Sequence, residues 1–243
     1  MLTARQRDLL EAIISEFMQT AAAVGSIGLP DKYELRVSPA TIRNEMARLV
    51  EMGYLQKPHA SSGRVPTTLA FKYFLQDILN ELEELDIREQ AILGEDIFQK
   101  RFNIDQLLMS AVRALNDITK YTAIALIEDK IYHAGLSALL SDPEFQDVSK
   151  LKEILLILES YADMTAILTR HRGSDQVRVL IGEETGHSIL GQSAIVFDTI
   201  PTYSERSGYI AVFGPNRMNY KKVIPAVNYI VERIRTSLVN WQL

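Results

Sequence analysis

The sequence contains no cysteine in its 243 residues, which excludes disulfide bonds, thiolate nucleophiles and thiolate metal sites. It also has no run of eighteen apolar residues, so we expect no membrane-spanning helix. The first residues lack the charged-then-apolar layout of a secretion signal. With 47% hydrophobic and 23% charged residues, the composition is that of a soluble globular protein, and we expect a cytoplasmic one.

The patterns of the common catalytic and metal sites are also missing. The four histidines, at 59, 133, 171 and 187, do not have the spacing of metal ligands. The glycine-containing loop 182–191 lacks the Gly-Lys-Ser/Thr ending of a phosphate loop. There is no nucleophile elbow and no Ser–His–acid order. We therefore expect no enzymatic activity, no metal and no cofactor.

Basic residues are unevenly distributed in this acidic chain, whose formal net charge is −5. Residues 1–75 carry nine Lys or Arg against seven Asp or Glu, whereas residues 76–243 carry seventeen against twenty-four. The segment 36–64 has five basic residues and only two acidic ones. A local basic surface on an acidic body is suited to contact with phosphates through one face.

Residues 1–70 have the pattern of three short helices followed by a hairpin. Thr3 and Gln6 form a capping box for the first helix, and Ser26 is a candidate N-cap for a second helix ending near Tyr33. Ser38 caps a third helix that Pro39 opens and Gly53 ends. Short strands at 54–57 and 64–65, joined by 58–63, complete a winged helix-turn-helix.

The third helix has two distinct faces on a helical wheel. Ile42, Met46 and Leu49 lie together and must face the core, with Ala40, Asn44, Ala47 and Glu51 opposite and Arg43 and Arg48 on the flanks. Small alanines let a helix enter the major groove, where Asn44 can bind adenine and Arg43 guanine or phosphate. Thr41 and the helix N-terminus can hold a phosphate. The expected DNA-binding set is Ser26, Ser38, Ala40, Thr41, Arg43, Asn44, Arg48, Lys57, His59, Ser61, Ser62 and Arg64. An ordinary solvated helix would explain these charges, but not the basic hairpin that follows.

From residue 67 to about 93, apolar residues recur at spacings of four and three, close to the 3.5 repeat of paired helices. This pattern predicts a connecting helix within 71–104. Its apolar seam would be a dimer contact made by Phe71, Leu75, Ile78, Leu82 and Leu85. The alternative is a helix that packs on its own domain.

The rest of the chain, 105–243, predicts a mixed domain. We expect a helix at 105–119, strands at 122–127 and 130–134, a helix at 149–169, strands at 176–181, 193–200 and 208–213, and a closing helix. Strands interrupted by helices, with two adjacent strands near the end, favour an antiparallel sheet flanked by helices. The expected fold class is α+β.

Several segments resemble the heat-inducible transcription repressors (HrcA) of bacteria: 24–26, 37–46, 52–55, 57–66, 135–148, 179–182 and 208–220. The resemblance implies a homodimeric repressor that binds double-stranded DNA at an inverted-repeat operator before chaperone genes, within the nucleoid. It also implies a GAF-like second domain and modulation by the GroEL chaperonin.

The sequence departs from the family pattern at two places. Few residues separate Ile127 from Gly135, where the family usually inserts a dimerisation segment, so the apolar seam and the closing helix are the expected dimer contacts. Ile27 and Gly28 replace the usual basic residue and threonine, and Pro30 and Glu34 also depart, which predicts a short second helix with a weaker hold on phosphate. An alternative function is a winged-helix regulator whose GAF-like domain senses a small ligand. An enzyme is a more distant third.

Overall fold

The computed structural model describes residues 2–35, 37–58, 63–79, 84–100, 103–170, 177–202 and 207–239. The chain forms two compact units, Met1–Glu81 and Leu82–Leu243. The expected segment 71–104 is therefore divided between them.

The first unit consists of short helices and a two-stranded hairpin. Its elements are α1 (Ala4–Thr20), α2 (Leu29–Lys32), α3 (Pro39–Glu51), β1 (Leu55–Gln56), β2 (Val65–Pro66) and α4 (Thr68–Leu79). The capping box of α1 is confirmed: the Gln6 N–H donates to Thr3 Oγ1 at 3.3 Å, and the Thr3 N–H donates to Gln6 Oε1 at 3.0 Å. The hairpin strands are antiparallel, with Leu55 opposite Pro66.

The prediction for the start of the second helix is wrong. Ser26 does not cap it; the helix begins at Leu29, after Gly28 in the left-handed region with φ +87°. Pro30 explains the shift, because proline has no N–H and is accepted only in the first turn of a helix. Glu34, just past the helix, has φ +52°, which costs a side chain with a Cβ some strain. Ser26 is buried, so its expected role at a phosphate-binding helix start is not supported.

The predicted long connecting helix is also wrong. Helix α4 ends at Leu79, and the next helix, α5, runs from Ile87 to Gln99 in the second unit. The two helices pack differently: α4 contacts α1 and β2, whereas α5 packs on helices of the second unit.

The expected dimer seam is mostly buried inside the chain. Phe71 is fully buried and packs on Phe17 with ring centroids 6.3 Å apart, while Leu75 and Leu85 are 6% and 8% exposed. Leu82 and the side chain of Ile78 lie outside the described part of the chain. At Phe71, Leu75 and Leu85 the spacing thus serves the core of the protein itself, in line with the alternative of a helix that packs on its own domain.

The second unit is built on a five-stranded antiparallel sheet of order β4-β3-β7-β6-β5. The mixed α+β class, with helices flanking an antiparallel sheet, is confirmed. Besides α5, its elements are α6 (Ile104–Thr119), β3 (Thr122–Ile127), β4 (Lys130–Ala134), α7 (Val148–Glu159), α8 (Tyr161–Thr169), β5 (Arg178–Ile181), β6 (Ser193–Ile200), β7 (Gly208–Pro215) and α9 (Tyr220–Val239).

Both faces of this sheet are covered by helices. One face carries Ile124, Phe197 and Phe213, which form a core with apolar side chains of α7 and α8. Helices α6 and α9 contact the sheet as well, and α5 packs on both of them. Because the three central strands are covered on both sides, β3, β6 and β7 are almost continuously apolar rather than alternating.

Two connections in this unit have a distinct backbone conformation: the one between α7 and α8, and the turn between β3 and β4. The helix expected at 149–169 is two helices, because Ser160 is extended (φ −91°, ψ 111°) and its Oγ accepts a hydrogen bond from the Asp163 N–H at 3.2 Å. Strands β3 and β4 are joined by Glu128 and Asp129, with φ +47° and +68°. Two left-handed residues match the twist of a tight hairpin.

Candidate nucleic-acid interface

The termini of α3 are fixed by its own sequence. The Ser38 side chain accepts a hydrogen bond from the Thr41 N–H at 3.2 Å, and Pro39 occupies the first turn. At the other end Gly53 takes φ +81°, a conformation that glycine adopts without strain. Residues at both ends of α3 therefore define where the helix begins and ends.

Helix α3 has the two faces that the wheel predicts. Its inner residues Ile42, Met46 and Leu49 are at most 4% exposed. On the opposite side Ala40, Asn44 and Ala47 are exposed. We call these three residues, with the exposed Arg43, the base-reading face, after the role that the sequence predicts for them. The alanines leave the backbone accessible, and Asn44 can offer an amide to a base edge without obstruction.

The N-terminus of α3 presents two hydroxyl groups. Ser38 Oγ and Thr41 Oγ1 are 3.0 Å apart, with Ser38 exposed and Thr41 half-buried. The helix dipole adds partial positive charge there. The arrangement can accommodate an anion such as a backbone phosphate.

The orientation of α3 depends on a residue that the sequence analysis missed. Glu45 lies on the inner face, and its carboxylate accepts hydrogen bonds from Arg5 Nη2 at 3.0 Å, Gln6 Nε2 at 3.0 Å and Arg48 Nη1 at 3.3 Å. The pattern contained a signal: positions 42, 45, 46 and 49 share one helical face, so an acidic residue at 45 had to be buried and paired.

The wing is the hairpin of β1 and β2, and its base, at Gly63 and Arg64, is bonded to the connection between α1 and α2. Val24 and Arg64 exchange two backbone hydrogen bonds of 2.8 Å, forming an antiparallel bridge beside β2. The Thr67 hydroxyl also donates to the Gly53 carbonyl at 2.7 Å, which joins the hairpin to the end of α3. These hydrogen bonds attach the wing base both to the α1–α2 connection and to the end of α3.

The expected wing contacts are only partly described. Lys57 is exposed at the end of β1, and Arg64 is half-buried. His59, Ser61 and Ser62 lie outside the described residues. Gly63 approaches the α1–α2 connection so closely that a Cβ there would lie 2.5 Å from the Val24 carbonyl oxygen.

The short helix α2 is attached to α1 by polar contacts. Lys32 Nζ and the Tyr33 hydroxyl both donate to the Glu16 carboxylate, the latter at 2.9 Å. The hydrogen bond from Lys32 lowers the pKa of Glu16 below its usual value, and the bond from Tyr33 acts in the same direction. The Lys32 bond is solvent-exposed and the Tyr33 bond is partly buried, and together they attach α2 to α1.

The described residues contain neither a metal-binding cluster nor a membrane-spanning helix. In the described ranges, no group of three His, Asp or Glu side chains could hold a metal ion. No helix in the same ranges is long and apolar enough to cross a membrane.

Comparison with known proteins adds the family context. The family model described as the HrcA protein C terminal domain matches residues 68–224. The "Heat-inducible transcription repressor HrcA" of Pelotomaculum thermopropionicum is 25% identical over 335 aligned positions, covering 96% of each chain. Its namesake from Symbiobacterium thermophilum is 26% identical, covering 96% of this chain and 98% of the relative. These alignments are longer than the 243 residues of the chain, so the relatives carry segments that it lacks.

A solved structure shares the fold. The crystal structure of a hypothetical protein superposes with a TM-score of 0.81 at 17% identity, covering 99% of both chains. The family model covers more than half of the sequence, including α4 and most of the second unit. The chain belongs to the HrcA family.

Proposed function

We propose that this chain is a transcriptional repressor of chaperone genes that binds an inverted-repeat operator in double-stranded DNA. The base-reading face of α3 carries the proposal, because it is exposed while the opposite side of the same helix is buried. Its position beside an anchored wing base is the arrangement in which winged helix-turn-helix proteins dock into a major groove. The relatives' shared name supports repression of heat-inducible genes.

Phosphate contacts are assigned to residues around this face. Ser38 and Thr41 at the start of α3 would bind one backbone phosphate, and Lys57 and Arg64 would bind others from the wing. Arg43 lies beside Asn44, where it reaches either guanine or a phosphate. These contacts position the helix, while Asn44 reads sequence.

The proposed repressor is a homodimer located on the chromosome in the cytoplasm. An inverted repeat has two-fold symmetry, which two copies of one reading head match. We do not place the interface at Phe71 and Leu75, because both are buried within one chain. Helix α9 also turns its apolar stripe, including Val227 and Ile230, into its own unit. A mass measurement in solution tests the dimer.

A gel shift tests the DNA-binding proposal. The duplexes are the region upstream of the chaperone genes in the same genome, which should contain the inverted repeat, and a scrambled duplex of equal length and composition. We expect a discrete complex on the first and only weak, salt-sensitive binding on the second. Equal affinity for both would contradict operator recognition, and a monomer in solution would contradict the dimer.

We further propose that GroEL keeps this repressor active, as the family resemblance implies. In the same gel shift, GroEL should increase the fraction of active repressor, and an unfolded client protein that occupies GroEL should reverse the effect. No change on adding GroEL would contradict this part of the proposal. A metabolite that raises the melting temperature and releases DNA would instead favour a ligand sensor.

A further inference from the structure

A pair of arginines from different helices meets on one buried carboxylate. Glu45 Oε1 accepts hydrogen bonds from both Arg5 Nη2 of α1, at 3.0 Å, and Arg48 Nη1 of α3, at 3.3 Å. Its other oxygen accepts from Gln6 Nε2 at 3.0 Å. The Glu45 side chain is only 6% exposed, so these three donors fix its position.

The two guanidinium groups remain open to solvent. The side chains of Arg5 and Arg48 are 56% and 63% exposed, although both bind the same oxygen atom. A guanidinium carries five N–H donors. Within the described part of the chain, Glu45 is the only side chain that takes a hydrogen bond from either group, and it uses one donor of each.

The pair lies beside the base-reading face. Arg48 follows Asn44 by one helical turn, which places it on the same side of α3 and about 6 Å further along the axis. When a recognition helix lies in the major groove, the flank of the helix faces a phosphate strand. Arg5 reaches this flank from the first turn of α1.

We propose that Arg5 and Arg48, aligned by Glu45, form a clamp for a DNA backbone phosphate beside the base-reading face. This inference rests on the proposed function, and it adds Arg5 and Glu45 to the interface. Arginine forks bind phosphate oxygens through paired hydrogen bonds. Two arginines against one glutamate leave a local charge of +1, and the carboxylate restricts their side chains before DNA arrives.

A purely structural role accounts less well for the pair. A carboxylate as buried as Glu45 needs a cation beside it, but one arginine neutralises it, so joining α1 to α3 through Glu45 does not require two. The buried Gln6–Glu45 hydrogen bond already makes that connection. Asp8 lines the same cleft as Arg5, but the described contacts include no ion pair between them.

The test compares Arg5→Ala and Arg48→Ala with Arg7→Ala in the full-length protein. Arg7 is an exposed arginine two residues from Arg5, on a different side of α1. Replacing it removes the same charge. Binding to the operator duplex and to a scrambled duplex is measured across a salt series. Each clamp variant should weaken binding to both duplexes by a similar factor and lower the magnitude of the salt slope by about 0.9.

The outcomes separate the clamp from the proposed function. If Arg5→Ala retains the salt slope of Arg7→Ala while the native protein binds the operator, the clamp is wrong and the repressor proposal stands. If the native protein binds neither duplex, both fail together. A lower melting temperature with an unchanged slope assigns the pair to stability alone, which also overturns the clamp.

Discussion

Arg217 donates two hydrogen bonds to Glu144, from Nε to Oε1 at 2.7 Å and from Nη2 to Oε2 at 3.1 Å. The same Nη2 donates to Asp142 Oδ1 at 2.7 Å. All three side chains are largely buried, with 9–16% of their surface exposed. Arg217 follows β7, whereas Asp142 and Glu144 lie more than seventy positions earlier, so these bonds join two distant parts of the second unit.

Removing Arg217 should strongly destabilise the second unit. Arg217→Ala leaves two buried carboxylates without their cation, and breaking such a pair costs about 3–5 kcal/mol. The free energy of unfolding, measured in urea, checks this. Arg113→Ala removes an exposed arginine of the same unit and should change stability by less than about 0.5 kcal/mol. Similar small losses in both variants would show that the buried pair contributes nothing beyond its packing.

Replacing Gly63 by alanine should displace the wing base from the α1–α2 connection. The Cβ in Gly63→Ala would meet the Val24 carbonyl oxygen at 2.5 Å, so the Val24–Arg64 bridge must shift. We expect a loss of about 1–3 kcal/mol in the stability of the first unit and weaker DNA binding. Gly25→Ala is the matched control, because its Cβ has nothing within 4 Å. Equal melting temperatures for the two variants would rule out a tight approach at Gly63.

Asn44 should contribute to sequence recognition rather than to general affinity. Asn44→Ala should weaken operator binding by roughly 1–3 kcal/mol and leave binding to scrambled DNA unchanged, because an amide bound to adenine discriminates among bases. Titrations on the two duplexes measure the difference. Asn228→Ala, the same substitution at an exposed position of α9, should affect neither. Equal losses on both duplexes would mean that Asn44 only positions the helix.

Replacing Phe71 should lower the stability of the first unit and leave the oligomeric state unchanged. The ring is fully buried against Phe17, so Phe71→Ala should destabilise the first unit by about 3–5 kcal/mol. The milder Phe71→Leu keeps the protein folded for a mass measurement, which should match the native mass. Leu69→Ala, at a 46% exposed position of the same helix, is the control for stability. A lower oligomeric mass for Phe71→Leu would restore the seam as a dimer contact.

Local signals predicted much of the first unit. The Thr3–Gln6 capping box, the Ser38 N-cap and the Gly53 stop each depend on residues within one turn, and all three are present in the structure. The inner face of α3 was predictable too, because its apolar spacing is unambiguous.

Features that depend on residues far apart in the sequence were harder to predict. The 3.5 repeat from Phe71 onward is typical of paired helices, but it does not say whether the partner is another chain or α1 of the same chain. The burial of Glu45 depended on donors from Arg5 and Gln6, some forty positions away. The break at Ser160 gave only a weak signal, since serine is tolerated inside helices as well as at their starts.

The Val24–Arg64 bridge has a consequence for the energetics of recognition. The bridge and the Thr67–Gly53 hydrogen bond hold the base of the wing in place in the absence of DNA, so the entropy of arranging it is lost during folding and not during binding. This pre-organisation favours every duplex equally, whatever its sequence. In the proposed repressor, a change of operator preference would therefore require substitutions among the few side chains that touch base edges and could leave the wing base unaltered.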